Sequence, residues 1–311
     1  MKILVTGGAG FIGSHVAQAL LARGDTLCVL DNFNDFYAPE LKRANAALLS
    51  GARIETGDIR DQALVARLFA EHAFDAVIHL AAMAGVRPSL ENPLLYGDVN
   101  VRGTQILLEE LQRRPGTRFV FASSSSVYGA NERVPFREDD DIHHPVSPYA
   151  ATKRAGELLA YTHHHLYGIP TSCLRFFTVY GPRQRPEMAI AKFTASIIAR
   201  RPIPFFGDGS TRRDYTYIDD IVDGVVRALD RCAGYEIYNL GESATTTLSE
   251  LVELLGAALG EKPILDRQPL QPGDVLVTYA DISKARAKLG YAPHTSVAEG
   301  LRRYVHWVRQ R

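Results

Sequence analysis

Tyr149 and Lys153 are the two residues whose types and spacing point most directly to proton-transfer chemistry. Residues four positions apart share one face of a helix, so the two side chains would point together. A tyrosine hydroxyl has a pKa of about 10, and a general base near neutrality needs it lowered by roughly 3 units, or about 4 kcal/mol. A lysine charge held nearby acts in that direction. Because the same spacing also arises by chance in helices, the pair alone does not define a site.

A serine run at 123–126 follows a predicted strand and lies at its carboxyl end. Ligands bind at that edge of open α/β sheets, and the helix carrying Tyr149 would begin within hydrogen-bonding reach of it. The run could therefore place hydroxyl groups beside Tyr149. Ser125 and Ser126 could equally form no more than a polar turn.

Gly7, Gly10 and Gly13 give a GxxGxxG spacing where the first predicted strand ends and the first helix begins. Glycines there allow a tight turn, close approach of the backbone to a pyrophosphate and close packing of helix on strand. The helix N-terminus then offers N–H donors to the phosphates. Alone, the triplet could be an ordinary turn. Asp31 closes the second strand, where an acid bonds the adenosine ribose diol and repels a 2′-phosphate, so the sequence predicts NAD rather than NADP.

Asp58 follows Gly57 at the end of the third predicted strand. Its carboxylate is suited to bond the adenine amine of the dinucleotide. Asp is also a favoured N-cap residue of helices, and the two interpretations stay open.

Short apolar runs alternate with helical patterns through the first half, which is typical of βαβ units and a parallel sheet. The predicted strands are 2–6, 26–31, 53–56, 76–80, 118–123 and 171–176. The predicted helices between them are 11–23, 61–71, 93–112 and 149–167. After about residue 177 prolines and glycines break the rhythm, and a helix at 219–230, a strand at 236–240 and a helix at 248–259 follow.

The pattern predicts an α/β fold: a Rossmann-type doubly wound parallel sheet with a smaller mixed α/β C-terminal substrate lobe. We expect residues 1–176 and about 214–240 to form the NAD-binding domain. Residues from about 177 to 213 and from 241 to 311 would form the nucleotide-sugar lobe, with a ligand cleft between the two.

Composition excludes several classes of function. Lys+Arg and Asp+Glu are 35 each in 311 residues, so no net field draws the chain to nucleic acid or anionic lipid. Three separated cysteines and consecutive histidines at 163–165 offer no convergent ligand set, so we expect no metal. The apolar N-terminal run is too short for a signal sequence, and no run approaches the ~18 residues of a membrane span. We therefore expect a cytoplasmic protein without a membrane partner.

These motifs together resemble the extended short-chain dehydrogenase/reductase family. The resemblance rests on five stretches, 6–13, 79–82, 124–129, 149–153 and 213–215. It implies that Tyr149 is the catalytic base, that Lys153 holds the nicotinamide ribose and that Ser124 hydrogen-bonds the reacting oxygen. The further dinucleotide contacts that we predict are Phe11, Ile12, Asn32, Ile59, Leu80, Ala81, Ala82, Asn100, Ser123 and Phe176.

The branches of this family differ in a few side chains. A 4,6-dehydratase carries Asp-Glu just after the catalytic threonine, where this chain has Ser125 and Ser126, and UDP-glucuronate decarboxylases carry Glu at position 126. Both activities are disfavoured. The stretches 31–37, 84–89 and 175–188 resemble UDP-glucuronate 4-epimerases, and hexose 4-epimerases carry Asn where Thr178 stands.

Arg185 is the predicted anchor for a sugar carboxylate, because a planar guanidinium binds a carboxylate through two hydrogen bonds. Thr178 would be its neutral partner. Arg183 and Arg185 could instead be solvated loop charges or phosphate contacts. The other predicted substrate contacts are Ser124, Ser125, Arg213 and, more weakly, Arg87 and Asp274 at the diphosphate and uridine ribose. Asp274 could equally serve only the turn at Gly273.

The resemblance implies reversible oxidation of C4 of a UDP-sugar, UDP-glucuronate above all, with tightly bound NAD. The alternatives are a UDP-glucose or UDP-N-acetylglucosamine 4-epimerase, then a UDP-glucuronate decarboxylase or an NAD-binding sensor without activity. Sensors of this kind tend to lose the tyrosine or the lysine, and Tyr149 and Lys153 are both present. The resemblance also implies a homodimer, formed by the helices at 93–112 and 149–167.

Overall fold

The computed structural model describes residues 1–270 and 275–310. Its centre is a seven-stranded sheet, in which every neighbouring pair of strands is parallel. The strands are β1 Lys2–Thr6, β2 Thr26–Asp31, β3 Arg53–Thr56, β4 Ala76–His79, β5 Arg118–Ser124, β6 Thr171–Phe176, β7 Thr178–Tyr180, β8 Ile203–Phe206, β9 Arg212–Arg213, β10 Tyr215–Tyr217, β11 Tyr235–Leu240, β12 Thr246–Thr247 and β13 Leu265–Gln268. In the large sheet the order is β11-β6-β5-β4-β1-β2-β3. The predicted Rossmann-type sheet is therefore confirmed.

Three small two-stranded sheets lie beyond the end of β6. They pair β10 with β7 in parallel, β12 with β9 in antiparallel and β13 with β8 in parallel. These short pairings explain why the βαβ rhythm of the sequence is lost after about residue 177.

Helices separate the strands, and the predicted ones lie within one or two residues of their expected ends, with one exception. They are α1 Phe11–Ala22, α2 Pro39–Ala47, α3 Gln62–Glu71, α4 Val86–Glu91, α5 Pro93–Tyr96, α6 Gly103–Leu111, α7 Pro148–Tyr167, α8 Ala189–Ile198, α9 Ile218–Asp230, α10 Leu248–Leu259, α11 Ser283–Leu289 and α12 Val297–Arg309. None of those in the described ranges is long and apolar enough to cross a membrane.

The exception is the predicted helix at 93–112, which is interrupted. A π-helical stretch, Gly97–Arg102, separates α5 from α6. Such wide turns are rare and occur often at functional sites. Here the turn carries Asn100, whose buried side chain holds the backbone of Met83. A period of 3.6 residues was the right signal for most of this segment but could not reveal the wider turn.

Alternation along the strands divides the core into two clusters, one on each face of the sheet. Successive side chains of a strand point to opposite faces. In β1, Ile3 and Val5 pack into one cluster and Leu4 into the other. The cluster that holds Ile3 also includes Leu251 of α10 and Leu301 of α12. The C-terminal elements therefore pack on the same core as the sheet, and the proposed division into two lobes stays a prediction.

Candidate active site

A cavity of about 630 Å³ lies at the carboxyl ends of the parallel strands. Its wall includes Gly7 after β1, Asp31 at the end of β2 and Leu80 after β4, followed by Ser124 and Phe176 at the ends of β5 and β6. This is the edge at which open α/β sheets bind ligands. Tyr149 and Lys153 also line the cavity, so the glycine turn and the tyrosine–lysine pair share one site.

The glycine turn has no room for side chains. Gly7 has a φ of +69°, and a Cβ there would lie 2.7 Å from the amide nitrogen of Ala81. A Cβ on Gly13 would lie 2.2 Å from the carbonyl oxygen of Gly7. Because Gly10, Phe11 and Gly13 line the cavity at the start of α1, the positive end of that helix faces the cavity. The turn thus meets the requirements of a pyrophosphate site.

Asp31 is held at the cavity wall by backbone donors. Its carboxylate accepts hydrogen bonds from the amide of Ala9 at 3.1 Å and the amide of Phe33 at 2.9 Å. Burial raises the pKa of Asp31, and these bonds and the charge of Lys42 oppose that rise. A buried acceptor at this position fits the ribose diol of NAD.

Asp58 is not a helix cap. The side chain that caps α3 belongs to Asp61, which accepts from the amide of Leu64. Asp58 lines the cavity instead, and accepts from Asn32 at 2.8 Å and from the guanidinium and amide of Arg60. These bonds, Arg60 first, lower the pKa of Asp58 to about 2. The helix-cap interpretation is wrong, whereas the contact with adenine stays a prediction.

Tyr149, Lys153 and Ser124 meet at the centre of the cavity. Ser147 caps α7 by accepting from the amide of Ala150 at 3.1 Å, which fixes the first turn of the helix that carries Tyr149. The Ser124 hydroxyl lies 2.6 Å from that of Ser126, and the Ser124 side chain acts to lower the pKa of Tyr149. Lys153 donates from Nζ to the carbonyl oxygen of Ala122 at 2.7 Å, and Nζ lies 5.9 Å from the centre of the Tyr149 ring.

The protein groups alone keep this phenol protonated. Burial raises the pKa of Tyr149, although the hydrogen bond from Ser124 and the charge of Arg185 oppose the rise. Burial also lowers the pKa of Lys153 to about 7, because the ammonium is shielded from water. Lysine therefore gives less help than a fixed charge would. A further positive charge beside the ring would lower the pKa of Tyr149.

A buried ion pair, Glu157–Arg175, hydrogen-bonds the first residue of the serine run, and the sequence did not reveal it. Glu157, one turn after Lys153 on α7, accepts from Ser123 Oγ at 2.6 Å. It also binds Arg175 of β6 through two hydrogen bonds of 2.9 and 3.0 Å. Glu157 and Arg175 are fully buried. The only available signal was a glutamate at an inward position of a helix, which by itself indicates no partner.

The predicted substrate contacts among the described residues line the same cavity. Thr178, Arg185, Arg213 and Arg87 all line it, as does Ser125. The guanidinium carbon of Arg185 lies 5.7 Å from the centre of the Phe36 ring, and Arg185 Nε lies 3.0 Å from Glu187 Oε1.

Arg183 lies apart from this group, although it is two residues from Arg185. Its guanidinium donates to Gln18 at 2.7 Å and contacts His15 at 3.0 Å, at a separate, smaller cavity beside Trp307. Arg183 and Arg185, for which the sequence suggested the same possible roles, therefore have different surroundings.

One predicted contact among the described residues does not line the cavity. Asn100 is buried behind it, where its amide group binds both backbone polar atoms of Met83 and the hydroxyl of Thr152. Asn100 thus holds the wall instead of forming it. Asp274 lies outside the described residues. The remaining predicted dinucleotide contacts all line the cavity, namely Gly7, Gly10, Phe11, Ile12, Gly13, Asp31, Asn32, Asp58, Ile59, Leu80, Ala81, Ala82, Ser123, Tyr149, Lys153 and Phe176.

The segment after β2 contributes residues for which the sequence suggested no role. Asn34, Phe36, Tyr37 and Lys42 line the cavity. Lys42 donates to the backbone and side-chain oxygens of Asn34 at 3.0 and 2.7 Å, and Nζ lies 4.9 Å from the centre of the Tyr37 ring. The resemblance of the stretch 31–37 to known epimerases was the available signal.

Two carboxylates line the part of the cavity that the structure describes. Among the described residues that line it, Asp31 and Asp58 are the acidic ones, and both lie at the dinucleotide end. Ser124, Ser125 and Ser126, which line the same cavity as Tyr149, carry hydroxyls and not carboxylates. The described part of the cavity therefore combines a tyrosine hydroxyl with serine hydroxyls, and the carboxylates that line it are Asp31 and Asp58.

The described site and the sheet define a class of protein. A model of the GDP-mannose 4,6 dehydratase family matches residues 4–304. The chain belongs to this family of extended short-chain dehydrogenases/reductases, as its motifs predicted.

Particular relatives are named epimerases. The chain is 46% identical over 328 residues to UDP-glucuronate 4-epimerase 1 of Arabidopsis thaliana, with 99% of this chain and 76% of that protein covered. A crystal structure of UDP-glucuronic acid 4-epimerase from Bacillus cereus with UDP-glucuronic acid and NAD matches at a TM-score of 0.93 and 37% identity, over 100% of this chain and 99% of that chain. A crystal structure of UDP-glucose 4-epimerase from Thermotoga maritima with UDP-glucose matches at a TM-score of 0.92 and 35% identity. The match covers 100% of this chain and 99% of that chain.

Proposed function

We propose that the chain is an NAD-dependent UDP-glucuronate 4-epimerase, which interconverts UDP-glucuronate and UDP-galacturonate. The observation that carries this proposal is one cavity in which a glycine turn, the Tyr149–Ser124–Lys153 group and Arg185 meet. Arg185 and Tyr149 line the same cavity, so a sugar whose carboxylate binds the arginine would occupy the cavity that holds the proposed base. Relatives named for this activity support the choice.

The residues present fit NAD. Gly7, Gly10 and Gly13 would carry the pyrophosphate at the start of α1, Asp31 the adenosine ribose and Lys153 the nicotinamide ribose. When bound, NAD⁺ supplies a hydride acceptor for the substrate and a positive charge close to the phenol. That charge is the one that the protein groups lack, since burial raises the pKa of Tyr149.

Tyr149 would take the proton of the 4-hydroxyl as C4 loses hydride, with Ser124 hydrogen-bonding the same oxygen. The planar 4-keto sugar then turns over about its diphosphate, and hydride returns to the other face of C4 while Tyr149 gives the proton back. Arg213 and Arg87 are the proposed contacts of that diphosphate, since both are cationic and line the cavity.

Arg185 would also prevent a side reaction. A 4-keto uronate is a β-keto acid, and it loses CO₂ once the carboxylate stands perpendicular to the ring carbonyl. A guanidinium that binds both carboxylate oxygens, together with the Thr178 hydroxyl, would keep the carboxylate out of that geometry. Ser125, which also lines the cavity, is a further hydroxyl that we assign to the substrate.

Dehydration and decarboxylation are disfavoured by the site, although the family model carries the name of a dehydratase. Expulsion of water needs an acid and a base beside C5 and C6, and the resemblance places Asp-Glu there. Ser125 and Ser126 occupy those positions and line the cavity. Ser126 also stands at the position where the decarboxylases carry a glutamate, so decarboxylation is disfavoured as well.

A UDP-glucose 4-epimerase is the second candidate, because a solved relative with UDP-glucose is nearly as similar in structure. Arg185 and Thr178 favour the uronate, since a neutral hydroxymethyl group offers the arginine no carboxylate to bind. Product NMR with each UDP-sugar separates the two. Conversion of UDP-glucuronate supports the proposal, and conversion of UDP-glucose alone would overturn it.

We further propose that the protein is cytoplasmic and forms a homodimer. In each subunit the nucleotide sugar would bind the C-terminal segments, about 177–213 and 241–311. Large apolar side chains are exposed on the two helical segments predicted to pair, among them Leu94, Leu158, Tyr161 and Leu166. Contiguous exposed apolar surface of this kind marks interfaces. Light scattering after gel filtration measures the mass, and a monomer at micromolar concentration would contradict the dimer.

A further inference from the structure

Glu187 lies close to the proposed sugar site and has no part in the reaction described above. Its Oε1 lies 3.0 Å from Arg185 Nε. Both carboxylate oxygens are buried, and neither accepts a hydrogen bond from a residue that the structure describes. The pair is therefore held by charge without a well-directed hydrogen bond, whereas buried polar groups are nearly always hydrogen-bonded.

Tyr37 is a buried hydrogen-bond donor that lacks an acceptor in the part of the chain that the structure describes. Its hydroxyl oxygen is buried and has no hydrogen-bond partner within the described ranges, and the side chain lines the cavity. Burial, and then the charge of Asp31, raises the pKa of Tyr37 to about 12, and the charge of Glu187 adds to the rise. At neutral pH the phenol is thus a hydrogen-bond donor without an acceptor among the described residues, and the charge of Glu187 acts on it.

These groups lie where two segments of the chain face each other. Phe36, next to Tyr37, lies under the Arg185 guanidinium. Met188, next to Glu187, lines the same cavity. A partly buried arginine without an anion is costly, and so is a carboxylate whose oxygens are buried without hydrogen bonds. A carboxylate arriving on a sugar would compete with Glu187 for the same cation.

We propose that Glu187 is a specificity-determining residue, which holds Arg185 in the absence of substrate and yields it to the carboxylate of a uronate. This rests on the proposed function. Once the sugar carboxylate occupies Arg185, Glu187 turns to the Tyr37 hydroxyl. A neutral hexose leaves the Arg185–Glu187 pair in place. Glu187 thereby weakens uronate binding and keeps the arginine neutralised when the substrate lacks a carboxylate.

Binding without turnover tests this directly. In holoenzyme carrying Tyr149→Phe, calorimetry measures the Kd of UDP-glucuronate and of UDP-glucose with Glu187 and with Glu187→Gln. We expect Kd for UDP-glucuronate to fall roughly three- to tenfold in the Gln variant, the value of a partly exposed ion pair. Kd for UDP-glucose should stay or rise. Because both ligands carry the same diphosphate, their ratio isolates the sugar carboxylate.

Glu261→Gln is the matched control, since it removes a carboxylate from an exposed pair with Arg200 far along the chain. It should leave the ratio unchanged. An unchanged ratio in Glu187→Gln, or weaker binding of UDP-glucuronate, would overturn the proposal, the latter because Glu187 would then be orienting Arg185.

A wild-type structure with UDP-glucuronate gives a second test that needs no variant, and Arg185 Nε still on Glu187 there would also overturn the proposal. Failure to epimerise UDP-glucuronate would contradict the proposed function but not the role of Glu187. That role is tested by the ratio of dissociation constants, which is measured without turnover.

Discussion

Replacement of Arg185 by Gln gives the sharpest prediction about substrate choice. The variant keeps a side chain of similar length but removes the cation opposite the sugar carboxylate. A hydrogen bond to a charged group contributes about 1.5–3 kcal/mol, and a guanidinium makes two to a carboxylate. The Arg185 side chain is 23% exposed and already neighbours Glu187, so solvent and competition reduce the sum. We therefore expect a net loss of about 2–4 kcal/mol.

That loss corresponds to a fall of roughly 30- to 1000-fold in kcat/KM for UDP-glucuronate. With UDP-glucose, which lacks the carboxylate, we expect a change below about fivefold. Released CO₂ per epimerisation should increase, because the 4-keto uronate is no longer held away from the reactive geometry. The assay is product NMR with both sugars, together with trapped CO₂.

Arg183→Gln is the control for Arg185→Gln. It removes the same charge two residues away, where the side chain contacts His15 and Gln18 outside the main cavity. It should leave the ratio of the two kcat/KM values unchanged. Full epimerase activity on UDP-glucuronate in Arg185→Gln would refute the assignment of Arg185 as the carboxylate anchor.

Three further substitutions probe the rest of the site. Tyr149→Phe should lower kcat by about 10²- to 10⁴-fold, because it removes the proton acceptor, while NAD content measured after denaturation stays the same; unchanged kcat would exclude Tyr149 as the base. Asp31→Ala removes the carboxylate that faces the adenosine ribose, so titration should show weaker NAD binding and improved NADP binding; unaltered preference would place the ribose elsewhere. Glu157→Gln leaves the buried Arg175 charge without its partner, at a cost of about 3–5 kcal/mol, and the thermal midpoint should fall by roughly 5–8 °C. A midpoint within about 1 °C of the wild type would show that other groups compensate the charge of Arg175. The control is Arg43→Gln, which breaks an exposed pair with Glu40 and should lower the free energy of unfolding by less than about 1 kcal/mol.

Local patterns were sufficient for the sheet and for the residues at its edge. Buried strands such as Lys2–Thr6 and Thr171–Phe176 are short apolar runs with turn residues after them, so their ends were predicted to the residue. The glycine turn, Asp31 and the Tyr149 helix occupy positions that follow from that strand order. Once the carboxyl ends of parallel strands meet at one edge, these side chains must meet too.

Interactions between distant segments were beyond the reach of those patterns. Glu157 and Arg175 are 18 residues apart and meet because α7 packs beside β6. Arg183 and Arg185 have the same chemistry in the sequence, yet the positive φ of 64° at Arg183 is part of a turn that sends the two side chains to different cavities. The interrupted helix around Asn100 depends likewise on the contact with Met83.

The most direct test of the central claim follows the hydrogen on C4. Purified enzyme is given UDP-glucuronate carrying deuterium at C4, and the epimerised product is examined by NMR and mass spectrometry. Transient oxidation with return of the same hydride predicts UDP-galacturonate that keeps its deuterium at C4. Product that has exchanged this label with solvent, or no epimerised product with NAD present, would contradict the account.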